Sequence, residues 1–401
     1  MPAAYFKNPL SKKRLPGIIA SQYEAIMKYI WQDKKWPKLT WSGDPLLPLI
    51  GQARLAQGKL LTKMAPLGLK LNREAQADIL TEEAIQTSAI EGEPLNRESV
   101  RSSVARHLKL PTAGLPPSDR RTDSLVEVLL DATHNFTKPL TGTRLKRWQA
   151  ALFPTGQSGL HKIQTGRWRG PDYAMQVVSE RRNRQTVHFE APRGKNVPNE
   201  MKQFLAWWKN SLGREDGLLR SGLAHFYFVT IHPFEDGNGR IARALTDMAL
   251  AQDEKLGQRY YSLSSQIMEE RDDYYSILET SQRGDTDITE WLRWYLGCYA
   301  RAVAKAEKLI ADVLAKAQFW QYHRQTEMNK RQRKVINRLL EAGKGGFQGG
   351  LTTRKYAALA KVSRATAFRE ISDLLEKGIL RQNKAQGRSV SYDLCWPYIV
   401  I

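Results

Sequence analysis

The chain has 401 residues, which is enough for about two or three domains. Its 62 lysines and arginines outnumber 41 aspartates and glutamates, and the formal net charge of +21 indicates contact with a polyanion such as nucleic acid. The two cysteines, Cys298 and Cys395, form no CxxC pair, which argues against a disulfide framework and a structural zinc site. The sequence has neither an apolar run near the ~20 residues of a membrane span nor a secretory signal, so we expect a cytoplasmic protein without a membrane partner.

The N-terminal part of the chain is rich in tryptophan. Tryptophans at positions 31, 36 and 41 predict a packed turn, and residues 46–61 then read as an amphipathic helix. We interpret residues 1–70 as a small helical module and assign it no chemistry.

A second helix is predicted over residues 72–90, where apolar residues recur at helical spacing. It is followed by Glu91-Gly92-Glu93-Pro94, in which the glycine and the proline are ordinary signals for the end of a helix. On these signals alone, Glu91 is an exposed carboxylate at a helix terminus.

The middle of the chain combines a loop, two helical patterns and a predicted hairpin. Prolines and glycines mark residues 108–122 as a loop, and helical patterns follow at 125–130 and 145–152. Two β-prone runs, 175–179 and 186–190, flank a charged stretch and predict a β-hairpin.

The richest chemistry begins at His232, between an apolar run at 223–231 and a helical pattern at 241–250. His232 is a base that titrates near neutral pH. Asp236 offers the hard oxygen ligand that magnesium prefers.

The residues that follow are suited to anions. Gly237-Asn238-Gly239 presents backbone N–H groups at the N-terminus of the next helix, where anions bind. Arg240 and Arg243 lie three residues apart on that helix, so their guanidinium groups can donate hydrogen bonds to the same phosphate group or to neighbouring ones. Each residue alone has a purely structural explanation, but together they favour chemistry on a nucleotide.

The C-terminal part is the most basic. A helix is predicted at 301–325, a stretch that contains neither glycine nor proline. Residues 330–401 hold 15 lysines and arginines against 5 acidic residues, which gives this part a net charge of +10. Helical patterns at 331–340, 351–360 and 362–375 precede two short β-prone runs. Residues 325–401 therefore resemble a winged helix-turn-helix domain. Ser363 is the predicted N-cap of its third helix, on which Arg364, Thr366 and Arg369 are placed to face a groove of DNA or its phosphates. Winged helices also dock proteins, so DNA binding and protein docking both stay open.

The residues from His232 to Arg243 match, at every fixed position, the Fic (Fido) family signature H-P-F-x-[D/E]-G-N-[G/K]-R-x-x-R. This resemblance implies transfer of AMP from ATP to a Ser, Thr or Tyr hydroxyl of a protein. His232 would be the catalytic base and Asp236 the magnesium ligand. Gly237, Asn238, Gly239 and Arg240 would bind the nucleotide at the reacting phosphate, and Arg243 its γ-phosphate.

The resemblance extends outside the signature. The predicted hairpin would be the flap, which pairs with a segment of the target, and Tyr274 would line the nucleotide-base pocket unless it is a core residue. Thr87-x-x-x-Glu91-Gly92 is similar to the family's inhibitory-helix motif, [S/T]-x-x-x-E-[G/N]. Glu91 would then compete with the γ-phosphate for Arg243, whereas we expect no such role for Glu93.

The predicted fold is mainly α: an N-terminal module at 1–70, a Fic helical core at 71–312 with the inhibitory helix and a short β-hairpin flap, and a winged helix at 325–401. ATP and Mg²⁺ are the expected substrate and cofactor. The expected partners are a target protein, the chain itself, double-stranded DNA and a second copy in a homodimer. Removal of AMP, transfer of UMP or phosphocholine, a DNA-binding regulator with a vestigial loop, and an adaptor all remain alternatives.

Overall fold

The structure is a computed structural model that describes residues 5–6, 29–64, 69–110, 116–181, 184–342, 347, 349–383 and 390–396. It divides into two compact units, Met1–Ala306 and Glu307–Ile401. Parts of the predicted loop at 108–122 and of the charged hairpin connection lie outside the described residues. In the described parts of the chain, no helix has the length and apolar character needed to cross a membrane.

The first unit is built mainly of helices, as predicted. Two short 3-10 helices, Ile30–Gln32 and Gly194–Asn196, accompany them. The helices are α1 (Leu47–Met64), α2 (Leu69–Ile90), α3 (Arg97–His107), α4 (Arg120–His134), α5 (Gly142–Leu152), α6 (Val197–Ser211), α7 (Gly217–Ile231), α8 (Asn238–Glu254), α9 (Leu263–Glu269), α10 (Arg271–Ser281) and α11 (Thr289–Tyr322), of which the last continues into the second unit.

Short strands accompany these helices: β1 (Tyr5–Phe6), β2 (Gln157–Ser158), β3 (His161–Lys162), β4 (Gln176–Arg181) and β5 (Arg184–Glu190). Strands β4 and β5 form the predicted antiparallel hairpin, in which Gln176 pairs with Glu190 and the register shifts after Val177. Strand β1 pairs with the other edge of β4. The small β2–β3 hairpin was not predicted, because two-residue strands are too short to show a periodic pattern.

The core of the first unit lies around α7 and α8. Every residue of α7 from Leu218 to Ile231 is buried, as expected for a helix that is apolar on all sides. Gly222 makes one close contact of this core feasible, since a Cβ there would lie 2.7 Å from the ring of Tyr295. The buried helix α7 ends at Ile231, just before the loop at His232, and the largely buried helix α8 begins at Asn238, just after it.

The N-terminal residues 29–46 pack on this helical core. The Ile30 amide donates to the Gln282 carbonyl at 2.9 Å, and the Thr40 amide donates to the Thr286 carbonyl at 2.9 Å. The ring of Trp36 meets that of Tyr227 on α7 edge-on, with the ring centres 5.2 Å apart. A domain boundary near residue 70 stays a prediction.

The second unit contains the end of α11 followed by α12 (Lys330–Ala342), α13 (Thr353–Ala360), α14 (Arg364–Glu376), β6 (Leu380–Gln382) and β7 (Tyr392–Leu394). The two strands are antiparallel, and Leu380 pairs with Leu394. The Thr366 amide donates to Ser363 Oγ at 3.2 Å, which confirms the predicted N-cap of α14. Three helices followed by two short strands are the element order expected of a winged helix.

Candidate active site

The loop of the candidate site begins where α7 ends. His232 adopts a left-handed backbone conformation, with φ 51° and ψ 59°. Pro233 follows, and a residue before proline is disfavoured in the helical region, so the helix stops here. A left-handed conformation costs a residue with a Cβ roughly 1–2 kcal/mol. The surrounding contacts must therefore hold the His232 backbone in place.

The His232 side chain is arranged as a neutral base. Its Nδ1 lies 3.0 Å from the Val229 carbonyl, which can only accept, so Nδ1 carries the proton and Nε2 carries the lone pair. Burial lowers the pKa of His232 to about 4, with the Val229 hydrogen bond and Glu91 opposing and Arg169 reinforcing the shift. The imidazole is therefore uncharged at neutral pH, as a general base requires.

The turn after His232 is braced by Asn238. The Phe234 amide donates to Asn238 Oδ1 at 3.0 Å, and Asn238 Nδ2 donates to the Phe234 carbonyl at 2.9 Å. Phe234 is fully buried, and its ring centre lies 4.8 Å from that of Trp168. The Asn238 side chain thus holds the loop closed, so its predicted contact with a nucleotide rests mainly on its backbone N–H.

Two glycines allow the loop and a carboxylate to approach each other closely. Gly237 caps α8 with φ 87°, a conformation that favours glycine, and a Cβ there would lie 2.9 Å from the Phe153 ring. A Cβ on Gly239 would lie 2.1 Å from Glu91 Oε1. The carboxylate of Glu91 therefore occupies the space above the N-terminus of α8, where an anion was predicted to bind.

Asp236 is the candidate magnesium ligand. Its carboxylate accepts hydrogen bonds from the Gly237 amide and from Ser158 Oγ, and burial raises the pKa of Asp236. Among the described residues, no group of three or more His, Cys, Asp or Glu side chains could hold a metal. One carboxylate still fits Mg²⁺, which is commonly bound by one or two carboxylates together with substrate phosphates. A cation here would also offset the unfavourable burial of the carboxylate charge.

Arg243 is held by Thr87 and Glu91, two of the three fixed residues of the inhibitory-helix pattern. Its Nη2 donates to Glu91 Oε1 at 2.7 Å and to the Thr87 carbonyl at 2.8 Å, and its Nε donates to Thr87 Oγ1 at 2.7 Å. Burial of the Glu91 carboxylate opposes ionisation, but the charge and hydrogen bond of Arg243 outweigh it and hold the pKa of Glu91 below its ordinary value. The Glu91 side chain is therefore an anion at neutral pH.

The second arginine of the signature is also paired. Arg240 Nη1 donates to Glu93 Oε2 at 2.6 Å, and Arg121 pairs with the same carboxylate. The sequence predicted no role for Glu93 and did not predict this contact, and the effect of Glu93 on activity stays a prediction. Residues after the end of α2 thus supply a carboxylate to each of Arg240 and Arg243.

Both signature arginines keep a buried N–H without a hydrogen-bond partner in the part of the chain that the structure describes. These donors are Arg240 Nε and Arg243 Nη1. Buried donors in native proteins are rarely left unsatisfied. Phosphate oxygens would supply the missing acceptors.

Tyr274 is buried against His225 of α7, close enough to the signature arginine Arg243 for the two groups to interact electrostatically. Its hydroxyl is 2.9 Å from His225 Nε2, and His225 Nδ1 is 3.1 Å from Thr246 Oγ1 on α8. The tyrosine is 2% exposed and packs against the ring of Trp294. These contacts are those of a core residue, and a role in the base pocket stays a prediction.

Two residues of the site were missed from the sequence. Ser158, on β2, contacts Asp236, and Arg169 contacts the main chain at His232 through its Nε and at Pro233 through its backbone amide. Both come from irregular segments without a periodic pattern. The one available signal was the run of charged and aromatic residues that starts at Gly166, just before the hairpin.

Comparison with family models finds two matches along the chain. Residues 139–250, which contain the loop and most of α8, match the Fic/DOC family. Residues 29–110, which contain α2 and Glu91, match a domain of unknown function, DUF4172.

Individual relatives match over shorter stretches. A probable protein adenylyltransferase of Aquifex aeolicus (strain VF5) is 30% identical over 104 residues, covering 26% of this chain and 30% of the relative. Protein adenylyltransferase Fic of Nematostella vectensis is 30% identical over 147 residues, covering 36% of this chain and 29% of the relative. The chain thus spans less than a third of the length of these curated relatives.

A solved structure resembles this one over most of its length. The crystal structure of a Fic family protein from Desulfovibrio desulfuricans G20 covers 90% of this chain and 98% of its own, with a TM-score of 0.51 and 21% identity. At this identity the similarity shows the fold.

Proposed function

We propose that this chain, whose residues 139–250 form a Fic domain, is an enzyme that transfers AMP from ATP to a hydroxyl group of a protein. The observation that carries the proposal is the pairing of a neutral, buried His232 with a helix N-terminus beside it. Arg240 and Arg243 on that helix each have an N–H group that lacks an acceptor. A base next to donors suited to phosphate is what nucleotidyl transfer to a hydroxyl requires.

The reaction uses these groups in a single displacement. The oxygen of a Ser, Thr or Tyr hydroxyl forms a bond to the α-phosphorus of ATP, and His232 Nε2 takes the hydroxyl proton. The bond from the α-phosphorus to the oxygen bridging to the β-phosphate breaks, and pyrophosphate leaves. The backbone N–H groups at the start of α8 and Arg240 stabilise the charge on the α-phosphate, while Arg243 binds the γ-phosphate.

Asp236 would hold Mg²⁺ together with phosphate oxygens of the substrate. The metal, when bound, neutralises phosphate charge during transfer. Ser158 and the Gly237 amide orient the Asp236 carboxylate for this contact.

We also propose that the chain is inhibited by its own Glu91. The carboxylate binds Arg243, the proposed ligand of the γ-phosphate, and lies over Gly239. ATP can then bind productively only when Glu91 leaves the guanidinium. This proposal concerns the control of the site and is separable from its chemistry.

Replacing the base tests the proposed reaction. In a Glu91→Gly background, His232→Ala is expected to abolish transfer of AMP from ATP labelled at the α-phosphate, because no other base replaces the imidazole. The affinity for ATP should be retained, since the phosphate ligands are untouched. His107→Ala, at the C-terminal end of helix α3, is the matched control. Transfer at an unchanged rate in His232→Ala would exclude the proposed base, and parallel reactions with labelled UTP or with an AMP-modified protein would test the alternative reactions.

The second unit supports a further candidate function, binding of double-stranded DNA. Lys330, Arg333, Lys334 and Arg338 recur along one face of α12 and line a groove of about 720 Å³. The predicted DNA-facing residues Arg364 and Arg369 on α14 are exposed. Among the described residues no carboxylate lines this groove, and a surface rich in positive charge suits a phosphate backbone.

A further inference from the structure

Arg169 is a buried cation that binds main-chain oxygens. It is 2% exposed and lies in the irregular segment between β3 and β4. Its Nε donates to the His232 carbonyl at 2.8 Å, its Nη2 to the Ile231 carbonyl at 3.4 Å and to that of Pro192, and its Nη1 to the Tyr173 carbonyl at 3.0 Å. All three guanidinium nitrogens are thus used by peptide groups.

Such a cation is unusual. No carboxylate of the described residues lies within ion-pair distance of Arg169, although a buried charge normally requires a paired opposite charge. Burial lowers the pKa of Arg169 only to about 10, so the side chain stays charged at neutral pH. The partial negative charge of the carbonyls at the end of α7 takes the place of a carboxylate.

These contacts converge on the strained backbone of His232. Arg169 bonds to the carbonyls before and at the left-handed residue, and its own backbone amide donates to the Pro233 carbonyl at 2.9 Å. Three consecutive peptide groups are therefore fixed by one residue from another part of the chain. Fixing them keeps His232 Nδ1 on the Val229 carbonyl, and with it the lone pair on Nε2.

Arg169 also acts on the imidazole through its charge. After burial, which is the largest cause of the low pKa of His232, a nearby guanidinium further disfavours a second positive charge. Glu91 is the ionisable group that opposes it, from the end of α2. When Glu91 leaves Arg243, the effect of Arg169 on the imidazole remains.

We propose that Arg169 is a positioning residue that fixes the His232 turn for general-base chemistry. The inference rests on the proposed function, because it gives His232 the role of base. Arg169 itself touches neither ATP nor the target hydroxyl. Its role is to set the geometry and the charge state of the residue that does.

The test compares Arg169→Lys and Arg169→Met in the full chain with Arg167→Met, an exposed arginine two residues earlier in the sequence. Two quantities are measured: the pKa of His232, by NMR of histidine labelled with ¹³C at Cε1, and kcat and KM for AMP transfer in a Glu91→Gly background. The His232 signal is assigned by its loss in His232→Asn.

Arg169→Met should raise the pKa of His232, because the guanidinium charge that lowers it is gone. Arg169→Lys keeps the positive charge but loses the branched guanidinium group that binds several carbonyls. The pKa of His232 should therefore stay low, while kcat falls about 10- to 100-fold because the base is misplaced. KM for ATP should be unchanged in both variants. Arg167→Met should alter neither quantity.

Two results would overturn the inference: wild-type kcat in a folded Arg169→Lys variant, or an unchanged His232 titration in Arg169→Met. If Arg169→Met fails to fold, the kcat of Arg169→Lys alone tests the inference. Unfolding of Arg169→Lys beside a folded Arg167→Met would show that the residue serves the whole fold instead. The titration needs no activity, so a chain that transfers no AMP would refute the proposed reaction and still leave the placement of His232 testable.

Discussion

At the scale of single residues, the proposed inhibition rests on the contact between Glu91 and Arg243. A charge-assisted hydrogen bond of this kind contributes about 1.5–3 kcal/mol. Each 1.4 kcal/mol corresponds to a factor of ten in an equilibrium. Glu91→Gly is therefore expected to raise AMP transfer about ten- to a hundredfold at subsaturating ATP, measured as incorporation of label from α-labelled ATP.

The same contact predicts how activation depends on pH. The pKa of Glu91 in the folded chain lies below its ordinary value of 4.5, so the contact is fully present above that value. It is lost only as the pH falls through the lower folded pKa. The ratio of the rates of Glu91→Gly and wild type should accordingly be constant from about pH 6 to 9. A ratio that collapses within this range would mean that another group controls the site.

Glu93 provides a second test, because the structure gives it a partner that its sequence position did not suggest. Glu93→Gln removes the negative charge beside Arg240 and keeps the shape of the side chain. Transfer should rise by a few-fold, less than in Glu91→Gly, since Arg121 and the ring of Phe153 still contact the freed region. Glu98→Gln, an exposed carboxylate at the start of α3, is the control. Equal rates of transfer for Glu93→Gln and Glu98→Gln would show that Glu93 does not restrain the reaction.

The parts of the site that the sequence predicted are those whose residues lie close together along the chain. His232, Asp236 and Arg243 lie within one short motif, so their proximity was predictable. The contacts of Glu93 and Arg169 join residues 147 and 63 positions apart, and such contacts leave no local pattern. The bracing role of Asn238 was missed for another reason: glycine neighbours suggested an open nest, whereas its amide closes the turn.

At the scale of elements, helices and the longer hairpin were predictable because their periodic patterns extend over several residues. The support of the flap was not. Met175 and Phe189, at the root of strands β4 and β5, pack against Tyr29 and Trp31 from the N-terminal region. Trp31 Nε1 also donates to the Glu190 carbonyl at 2.7 Å. A region to which the sequence assigned no chemistry thus holds the root of the proposed target-binding hairpin.

This arrangement predicts a defect in target binding alone. Trp31→Ala removes a hydrogen bond worth about 1 kcal/mol and the packing beneath β5. We expect kcat/KM for a target protein to fall about tenfold while the affinity for ATP is unchanged, because Arg243 and Asp236 are not contacted. Trp41→Ala, outside the cluster at the hairpin root, is the matched control. A parallel loss of ATP affinity would show that the substitution damages the core and not the hairpin.

At the scale of the whole molecule, the excess of positive charge is distributed unevenly. Residues 330–401 carry a net +10 of the +21 of the whole chain. Like charges three and four residues apart on α12 destabilise an isolated helix by about 0.2–0.5 kcal/mol per pair. A polyanion bound along this groove would offset that repulsion.

Binding of duplex DNA by the full chain should consequently be strongly dependent on salt. The slope of log affinity against log salt is about −0.9 for each phosphate neutralised. The double variant Lys330→Ala/Lys334→Ala should reduce the magnitude of this slope by about 1.8. Arg364→Ala/Arg369→Ala should reduce the magnitude of the slope by a similar amount. If α14 lies in the major groove of DNA, as the second helix of a helix-turn-helix does, this variant should also discriminate less between DNA sequences. Lys202→Ala/Lys209→Ala, on exposed positions of α6, controls for net charge. Equal slopes for all three double variants would locate the DNA contact elsewhere, and no binding at low salt would leave the basic groove to an acidic protein partner.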